Sequence, residues 1–450
     1  MSAVSPVVTI DALDLDAQGV ARQSDSQGGK VLFIRGALPT ERVTYTLTRE
    51  RARYAKAKLN SVIKPAVYRT TPMCKFFGVC GGCSMQHLDF AAQIAMKQRV
   101  LEDDLWHIGR IKPREILRPI AGPTWHYRHR GRLSVIDRSI KKGTMLVGFH
   151  EYNSSYVADM TSCEVIPKRI SDLLIPMREL IGSLSIRDRV PQIEFALGED
   201  PNNAEMKPIA LVIRHLLPLN KKDLQLLEDF AKHYQLGIWL QPQGPESAKP
   251  LYPQKQQLSY SLTEFGITIP FLPTDFTQVN HAVNQVLVSR AISLLDLNPN
   301  DRVIDLFCGI GNFTLPIATM AKEVLGIEGS KTLTTRALEN AKYNQLDHKT
   351  QFQQSNLFEV SSNDVENWGR ADKWLIDPPR EGAMEVCKAL QNVPKEFLPK
   401  RIVYVSCNPK TLARDVAILT HELNYQLNQT GIINMFPHTS HIESIAVLDL

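Results

Sequence analysis

No stretch of this 450-residue chain approaches the roughly 20 uninterrupted apolar residues that a membrane-spanning helix needs. Met1 to Asp16 has neither the basic start nor the apolar run of an export signal. The expected setting is soluble and cytoplasmic. Cysteine is scarce: seven residues are too few for a disulfide framework, and an odd number leaves one unpaired in an oxidising compartment. Glycine (24) and proline (27) are too sparse for a fibrous or low-complexity chain, and no internal repeat stands out. What remains is an ordinary folded protein, long enough for about three domains at roughly 150 residues each.

The charge is modest in total and uneven in placement. From Arg42 to Arg69 eight basic residues face one acidic residue, Glu50, a local +7 in a chain whose net charge is +5, so the remainder sums to −2. A second cluster, Arg128, Arg130, Arg132, Arg138, Lys141 and Lys142, is opposed only by Asp137. Two such islands point to a polyanion partner, against the plain alternative of a solvated charged face.

Residues 1–65 read as short strands (Val7–Ile10, Gly19–Ala21, Lys30–Ile34, Arg42–Thr48, Ala57–Ile63) separated by turn residues, which predicts a small OB-like β-barrel of the kind that binds single-stranded nucleic acid. Residues 66–272 mix strands with helices and predict an α+β central domain, whose helix over Phe90–Trp106 is a candidate to pack on the C-terminal domain instead. Residues 273–450 alternate regularly between strand and helix, which predicts a doubly wound α/β, Rossmann-like domain.

Three strand ends of the last domain carry chemistry. Asp305-Leu306-Phe307-Cys308-Gly309-Ile310-Gly311-Asn312-Phe313 places two glycines where backbone must approach a ligand. Thr314 stands where a dinucleotide fingerprint has its third glycine, so an NAD site is disfavoured. Glu328 ends the next strand, where a carboxylate can bind both ribose hydroxyls; alone it would be a solvated strand-end acid. Asp377-Pro378-Pro379-Arg380 fixes a third carboxylate at the sheet edge. In this order the three resemble the S-adenosylmethionine-dependent methyltransferase fold.

Strand Ile402–Val405 runs into Ser406-Cys407-Asn408-Pro409, so Cys407 emerges at the same edge. A free thiol is only about three per cent thiolate at pH 7, so a nucleophilic role needs help from its surroundings. A nucleophile is what a uracil acceptor requires: C5 attacks a sulfonium methyl only after a thiolate has added at C6, and a base must then remove the C5 proton. Glu443, in His441-Ile442-Glu443-Ser444, is the candidate base, with His438 and His441 as alternatives.

Together with Phe276-Thr277-Gln278-Val279-Asn280, these motifs are similar to the RNA (uracil-5-)-methyltransferase family across the C-terminal 180 residues. The resemblance implies a cofactor site lined by Gln278, Phe307, Asn312, Glu328, Asn356 and Asp377, with Cys407 as nucleophile and Glu443 as base. Asn356 rests on the short motif Ser355-Asn356-Leu357-Phe358.

Cys74, Cys80 and Cys83 lie in Cys-Lys-Phe-Phe-Gly-Val-Cys-Gly-Gly-Cys, and Cys163 is the remaining cysteine outside the catalytic half. Four thiolates suit zinc or an iron–sulfur cluster, and spacing alone does not separate the two. Family members with this pattern resemble [4Fe-4S] proteins acting on ribosomal RNA, and the N-terminal barrel resembles their TRAM module. The resemblance implies 23S rRNA as partner, with Arg128, Arg130 and Arg132 on its phosphates, and a monomer suffices. Another rRNA uracil, or a redox-sensing RNA-binding protein with a non-catalytic scaffold, are the competing readings.

Overall fold

The computed structural model describes residues 6–22, 29–138, 143–200 and 207–450. The first 64 residues build a six-stranded sheet in the order Val7–Thr9, Arg42–Glu50, Tyr54–Lys64, Val31–Arg35, Gln18–Arg22, Ala12–Leu13. Val7–Thr9 and Ala12–Leu13 are two halves of one bent segment. The first half pairs with Arg42–Glu50 and the second with Gln18–Arg22, so the ends of the ladder meet and the sheet closes on itself. Alternate side chains, among them Leu32, Ile34, Val43, Tyr45, Ala55 and Ala57, fill the interior. Arg69 does not join the basic surface: it pairs with the buried Glu41, which also accepts the Leu38 and Ala66 amides.

The central sheet runs Lys249–Tyr252, Gly237–Gln241, Ile209–Arg214, Gln192–Leu197, Arg130–Arg138, Thr144–Gly148. It is antiparallel except where Ile209–Arg214 and Gly237–Gln241 run parallel, bridged by the helix Lys221–Tyr234. Asn220 caps that helix and exchanges hydrogen bonds with Asp223, while Leu227 and Ala231 turn inward. Of the second basic cluster, Lys141 and Lys142 lie outside the described residues.

The C-terminal sheet has eight strands in the order Thr350–Gln354, Glu323–Glu328, Arg302–Leu306, Lys373–Ile376, Arg401–Ser406, Glu443–Asp449, Gln426–Ile433, Glu115–Ile116. The first five are mutually parallel, and Glu443–Asp449 enters antiparallel. Its inner strands, from Glu323–Glu328 to Glu443–Asp449 in that order, are largely apolar and buried because both faces are covered. Val303, Leu375, Val403 and Val405 enter one core layer, and Ile304, Trp374, Ile402 and Tyr404 enter the other. The chain winds outward from Arg302–Leu306 in both directions, which opens a crevice beyond its carboxyl end, where ligands bind in sheets of this type.

Packing cuts across the expected 66–272 unit. Helix Phe90–His107, capped by Asp89, sends Leu101 and Leu105 into the C-terminal core, and Glu115–Ile116 adds that sheet's last strand. The hairpin Leu258–Leu262 with Ile267–Phe271 joins a core shared by the C-terminal domain and one face of the central sheet, through Ala196, Ala210, Val212 and Trp239. No described helix is long and apolar enough to cross a membrane.

Candidate active site and four-cysteine site

Beyond strand Arg302–Leu306 the chain reverses sharply, with positive φ at Phe307 (63°), Gly309 (55°) and Gly311 (97°). Asp305, buried beneath this loop, accepts a hydrogen bond from Thr314 Oγ1 at 2.5 Å. Nothing stands within 4 Å of where a Cβ on Gly309 would lie, so glycine here keeps space open for a ligand. Glu328 accepts the Gly309 amide on Oε2 (3.2 Å) and the Ser330 amide on Oε1 (3.0 Å), so it braces the loop as well as facing the cavity. Asn312 and Asn284 exchange amide hydrogen bonds (2.9 and 3.1 Å), and Tyr260 OH donates to Asn312 Oδ1 at 2.9 Å.

These groups open on a cavity of about 520 Å³ at the sheet's carboxyl edge. Gln278, Phe307, Asn312, Glu328, Asn356, Asp377, Cys407 and Glu443 all line it. Their sequence positions span 166 residues, yet parallel strands deliver their ends to one edge. Phe307 and Phe358 form an apolar wall with ring centres 5.8 Å apart, suited to a flat heterocycle, and Asn356 accepts the Phe358 amide at 3.2 Å. Tyr260, Phe358 and Phe436 line the cavity without having been expected there. Tyr260 and Phe436 lie outside every motif; only the topology brings them in.

Burial dominates the electrostatics. The Cys407 thiol is pushed up to about 12, first by burial and then by Glu443 and Asp377, while Arg380 opposes the rise. Burial alone raises Asp377 to about 7, and burial with Asp377 nearby lifts Glu443 well above the carboxylate range. His441 is lowered to about 4 by burial and then by Arg380, whose guanidinium lies 3.1 Å from its Nδ1. A neutral ring so engaged is a poor proton acceptor. His438 does not line the cavity: its ring stacks on Trp125 at 3.9 Å.

Asp305 is raised to about 8, again by burial first. An acid protonated in the fold and ionised in the unfolded chain contributes stability that is complete below its ordinary 3.8 and is lost as pH rises through about 8. Asp305→Asn keeps the shape and removes the titration. Its melting temperature is expected to climb relative to wild type as pH rises from roughly 4 to 8. A gap that stays constant across that window would remove the assignment.

The four cysteines outside the catalytic half lie near one another. Cys83 rises to about 12 and Cys163 to about 11, first through burial, with repulsion among Cys74, Cys80, Cys83 and Cys163 adding to both. Arg35, from the N-terminal barrel, offsets the rise at Cys80 and lies 3.7 Å from the ring centre of Tyr152. Among the described residues no three His, Cys, Asp or Glu side chains are close enough to share one metal ion. The donor set nevertheless fits a cluster: a cubane takes one thiolate per iron and needs a wider quartet than a single ion does. Cys80, Cys83 and Cys163 are desolvated thiols, and Arg35 acts on Cys80.

Two of the arginines expected on RNA phosphates are otherwise engaged. Arg130 donates to the Asp275 and Thr274 carbonyls, which holds the segment leading to Gln278, and Arg132 pairs with Glu194 at 2.9 Å. Sequence charge alone could not show this, because both partners are remote in the chain.

A family model described as tRNA (uracil-5-)-methyltransferase matches residues 90–449. The chain is 59% identical to the 23S rRNA (uracil(1939)-C(5))-methyltransferase RlmD of Polynucleobacter necessarius, over 99% of this chain and 97% of that one. It is 57% identical to the protein of the same name from Cupriavidus metallidurans, over 99% and 95%. Among solved structures, Pyrococcus abyssi tRNA (uracil-54, C5)-methyltransferase in complex with S-adenosyl-L-homocysteine superimposes with a TM-score of 0.73 at 20% identity, covering 98% of this chain and all of that one. That likeness carries the fold, a β domain followed by a methyltransferase domain.

Proposed function

The chain belongs to the tRNA (uracil-5-)-methyltransferase family, and from that premise we propose that it methylates C5 of uracil 1939 in 23S rRNA, the activity for which its relatives at 56–59% identity are named. The observation that carries this reading is the single cavity in which the Gly309–Asn312 loop meets Cys407 and Glu443. S-adenosylmethionine, when bound, supplies the methyl group. Gln278, Phe307, Asn312, Glu328, Asn356 and Asp377 would hold it, with the Phe307–Phe358 wall against the adenine.

Cys407 loses its proton to solvent and adds as the thiolate to C6 of the flipped uracil, C5 as the resulting nucleophile takes the methyl group, and Glu443 as carboxylate removes the C5 proton so that the C6–S bond breaks and the thiolate leaves. Burial pushes the Cys407 thiol up to about 12, so the resting site favours the protonated form. Arg380 is the cation that favours the thiolate.

Cys74, Cys80, Cys83 and Cys163 hold a [4Fe-4S] cluster in this reading, supported by the desolvated thiols of Cys80, Cys83 and Cys163 and by Arg35 beside Cys80. The N-terminal barrel serves as a TRAM-type RNA-binding module. Arg42, Arg49, Arg51, Arg53, Lys58 and Lys64 are exposed on its longest strands and the turn between them, a basic stripe for a single-stranded segment. Residues 1–65, 66–272 and 273–450 remain the proposed functional units, acting as a monomer in the cytoplasm.

The test is incubation of anaerobically purified protein with unmodified 23S rRNA and methyl-labelled S-adenosylmethionine, followed by mapping of the label. Label on C5 of uracil 1939 is expected. Label on another base would refute the target, and no transfer despite RNA binding would refute the activity.

A further inference from the structure

The segment that leads into Glu443 is held by residues from far upstream. Asn280 Nδ2 reaches the Met435 carbonyl (3.5 Å), Lys97 Nζ donates to the Phe436 carbonyl (2.9 Å), and Tyr127 OH donates to the Pro437 carbonyl (2.9 Å). The His438 carbonyl accepts two amides, Ser84 (2.9 Å) and Met85 (3.0 Å). Four successive carbonyls therefore meet donors from four separate parts of the chain. Gln93 completes the grip: its Oε1 accepts the His438 amide at 2.9 Å, and its Nε2 donates to Met85 O and Leu88 O. Gln93 and Lys97 are both fully buried, and Lys97 spends its ammonium on uncharged oxygens, Asn434 Oδ1 and Phe436 O. Burying a lysine without a carboxylate is costly, so the site favours holding this segment over minimising charge burial.

Two of these contacts lead straight back to the cysteines. Ser84 follows Cys83 in the chain, and Tyr127 packs in the same buried cluster as Cys80 and Cys163, with Cys83 against it. On the other side the held segment leads into the cavity: Phe436 and His441 line it, with their rings 5.6 Å apart, and Glu443 follows. His438, with positive φ (64°), turns the chain at the end of this held segment.

We propose that the four-cysteine site and Tyr127 form the outer half of a clamp on residues 435–438, and that this clamp, rather than direct contact with substrate, is how the cluster serves the reaction: it fixes where Glu443 stands over the C5 proton. Tyr127, Gln93 and Lys97 are positioning residues in this scheme. The inference rests on the roles given above to the cluster and to Glu443. It makes proton removal, and not cofactor binding or thiolate addition, the step that depends on the cysteine site.

Tyr127→Phe removes one hydroxyl from the clamp and leaves the ring beside the cysteines. The variant is expected to keep wild-type iron and sulfide content and wild-type affinity for S-adenosylhomocysteine. Its turnover is expected to fall about fivefold, as befits one lost hydrogen bond, and a covalent protein–RNA adduct should build up during the first turnover. A merely structural role would not redistribute the reaction between adduct and product. Hydrogen exchange supplies the second arm, on cluster-loaded and chelator-stripped protein. Amides 438–442 should exchange at least about tenfold faster once stripped, while those of strand Arg302–Leu306 stay protected.

Adduct levels in Tyr127→Phe equal to wild type would overturn the inference. So would equal exchange in loaded and stripped protein, or loss of protection in Arg302–Leu306 as well, which would mean global loosening. Protein purified anaerobically without iron or sulfide would reject the cluster reading and, with it, the metal-dependent half of the clamp.

Discussion

Replacing Cys407 with alanine is expected to lower methyl transfer by at least about 10⁴-fold while S-adenosylhomocysteine binds as it does to the wild type. The two readouts separate because the cavity has two ends. The proposed cofactor wall comprises the loop after Arg302–Leu306, Glu328 and the Asn356–Phe358 turn, and none of these relies on the sulfur for its hydrogen bonds. The acceptor end is where Cys407 meets Asp377 and Glu443, whose charges raise its thiol. Without addition at C6, the uracil C5 lacks the electron density to attack a methyl group, and the other thiol on the lining, Cys308, is buried beneath the glycine loop with its ionisation strongly disfavoured. Transfer measured with labelled cofactor, beside calorimetric titration with S-adenosylhomocysteine, checks both halves. Retained turnover would remove Cys407 from the chemistry, and lost cofactor affinity would assign it a structural task instead.

The catalytic half was legible in the sequence because its chemistry sits at strand ends. In a parallel sheet each βα turn reaches the same edge, so Asp305–Phe313, Glu328, Asp377–Arg380 and Cys407 could be placed together before any coordinate was known. The apolar runs Arg302–Leu306 and Lys373–Ile376 are strands with the bounds their patterns predict. Less legible were elements whose partners are remote. Thr350–Gln354 is polar because it is an edge strand, and Gln426–Ile433 begins with glutamines and asparagine before turning apolar, so neither shows a strand's usual pattern. Ala12–Leu13 is too short to show one, although it closes the N-terminal barrel.

Charge was the most misleading signal. Arg69 and Arg130 belong to basic runs in the sequence, yet one neutralises Glu41 and the other holds backbone carbonyls next to the cofactor wall. Lys97 and Gln93 give the reverse lesson. They are polar residues at four-residue spacing on the same face of helix Phe90–His107 as Leu101 and Leu105. Both are fully buried because the segment they hold, some 340 residues later, brings its own carbonyls into the core. A buried polar residue is recognised only through its partner, and local pattern carries no information about a partner so distant.

Glu443→Gln should stall the enzyme after chemistry has begun. Glutamine fills the same volume at the head of strand Glu443–Asp449, so Cys407 still adds and the methyl group still arrives, but the C5 proton has no acceptor. Turnover is expected to fall by about 10² to 10⁴, with a methylated protein–RNA adduct that survives denaturing electrophoresis. Wild-type turnover should rise with pH as the base loses its proton, and the residual rate of the variant should lack that limb. Stability supplies an independent reading of the same group. Burial and Asp377 raise Glu443 well above its ordinary 4.5, so its protonated form stabilises the fold below that value and the contribution is lost as pH rises through the folded value. The variant cannot ionise there, so its melting temperature should gain on wild type steadily with pH. A variant that turns over normally without adduct would dismiss Glu443 as the base. A melting gap indifferent to pH would show instead that the carboxyl is not held in its protonated form, and the burial that makes it a strong proton acceptor would lose its role.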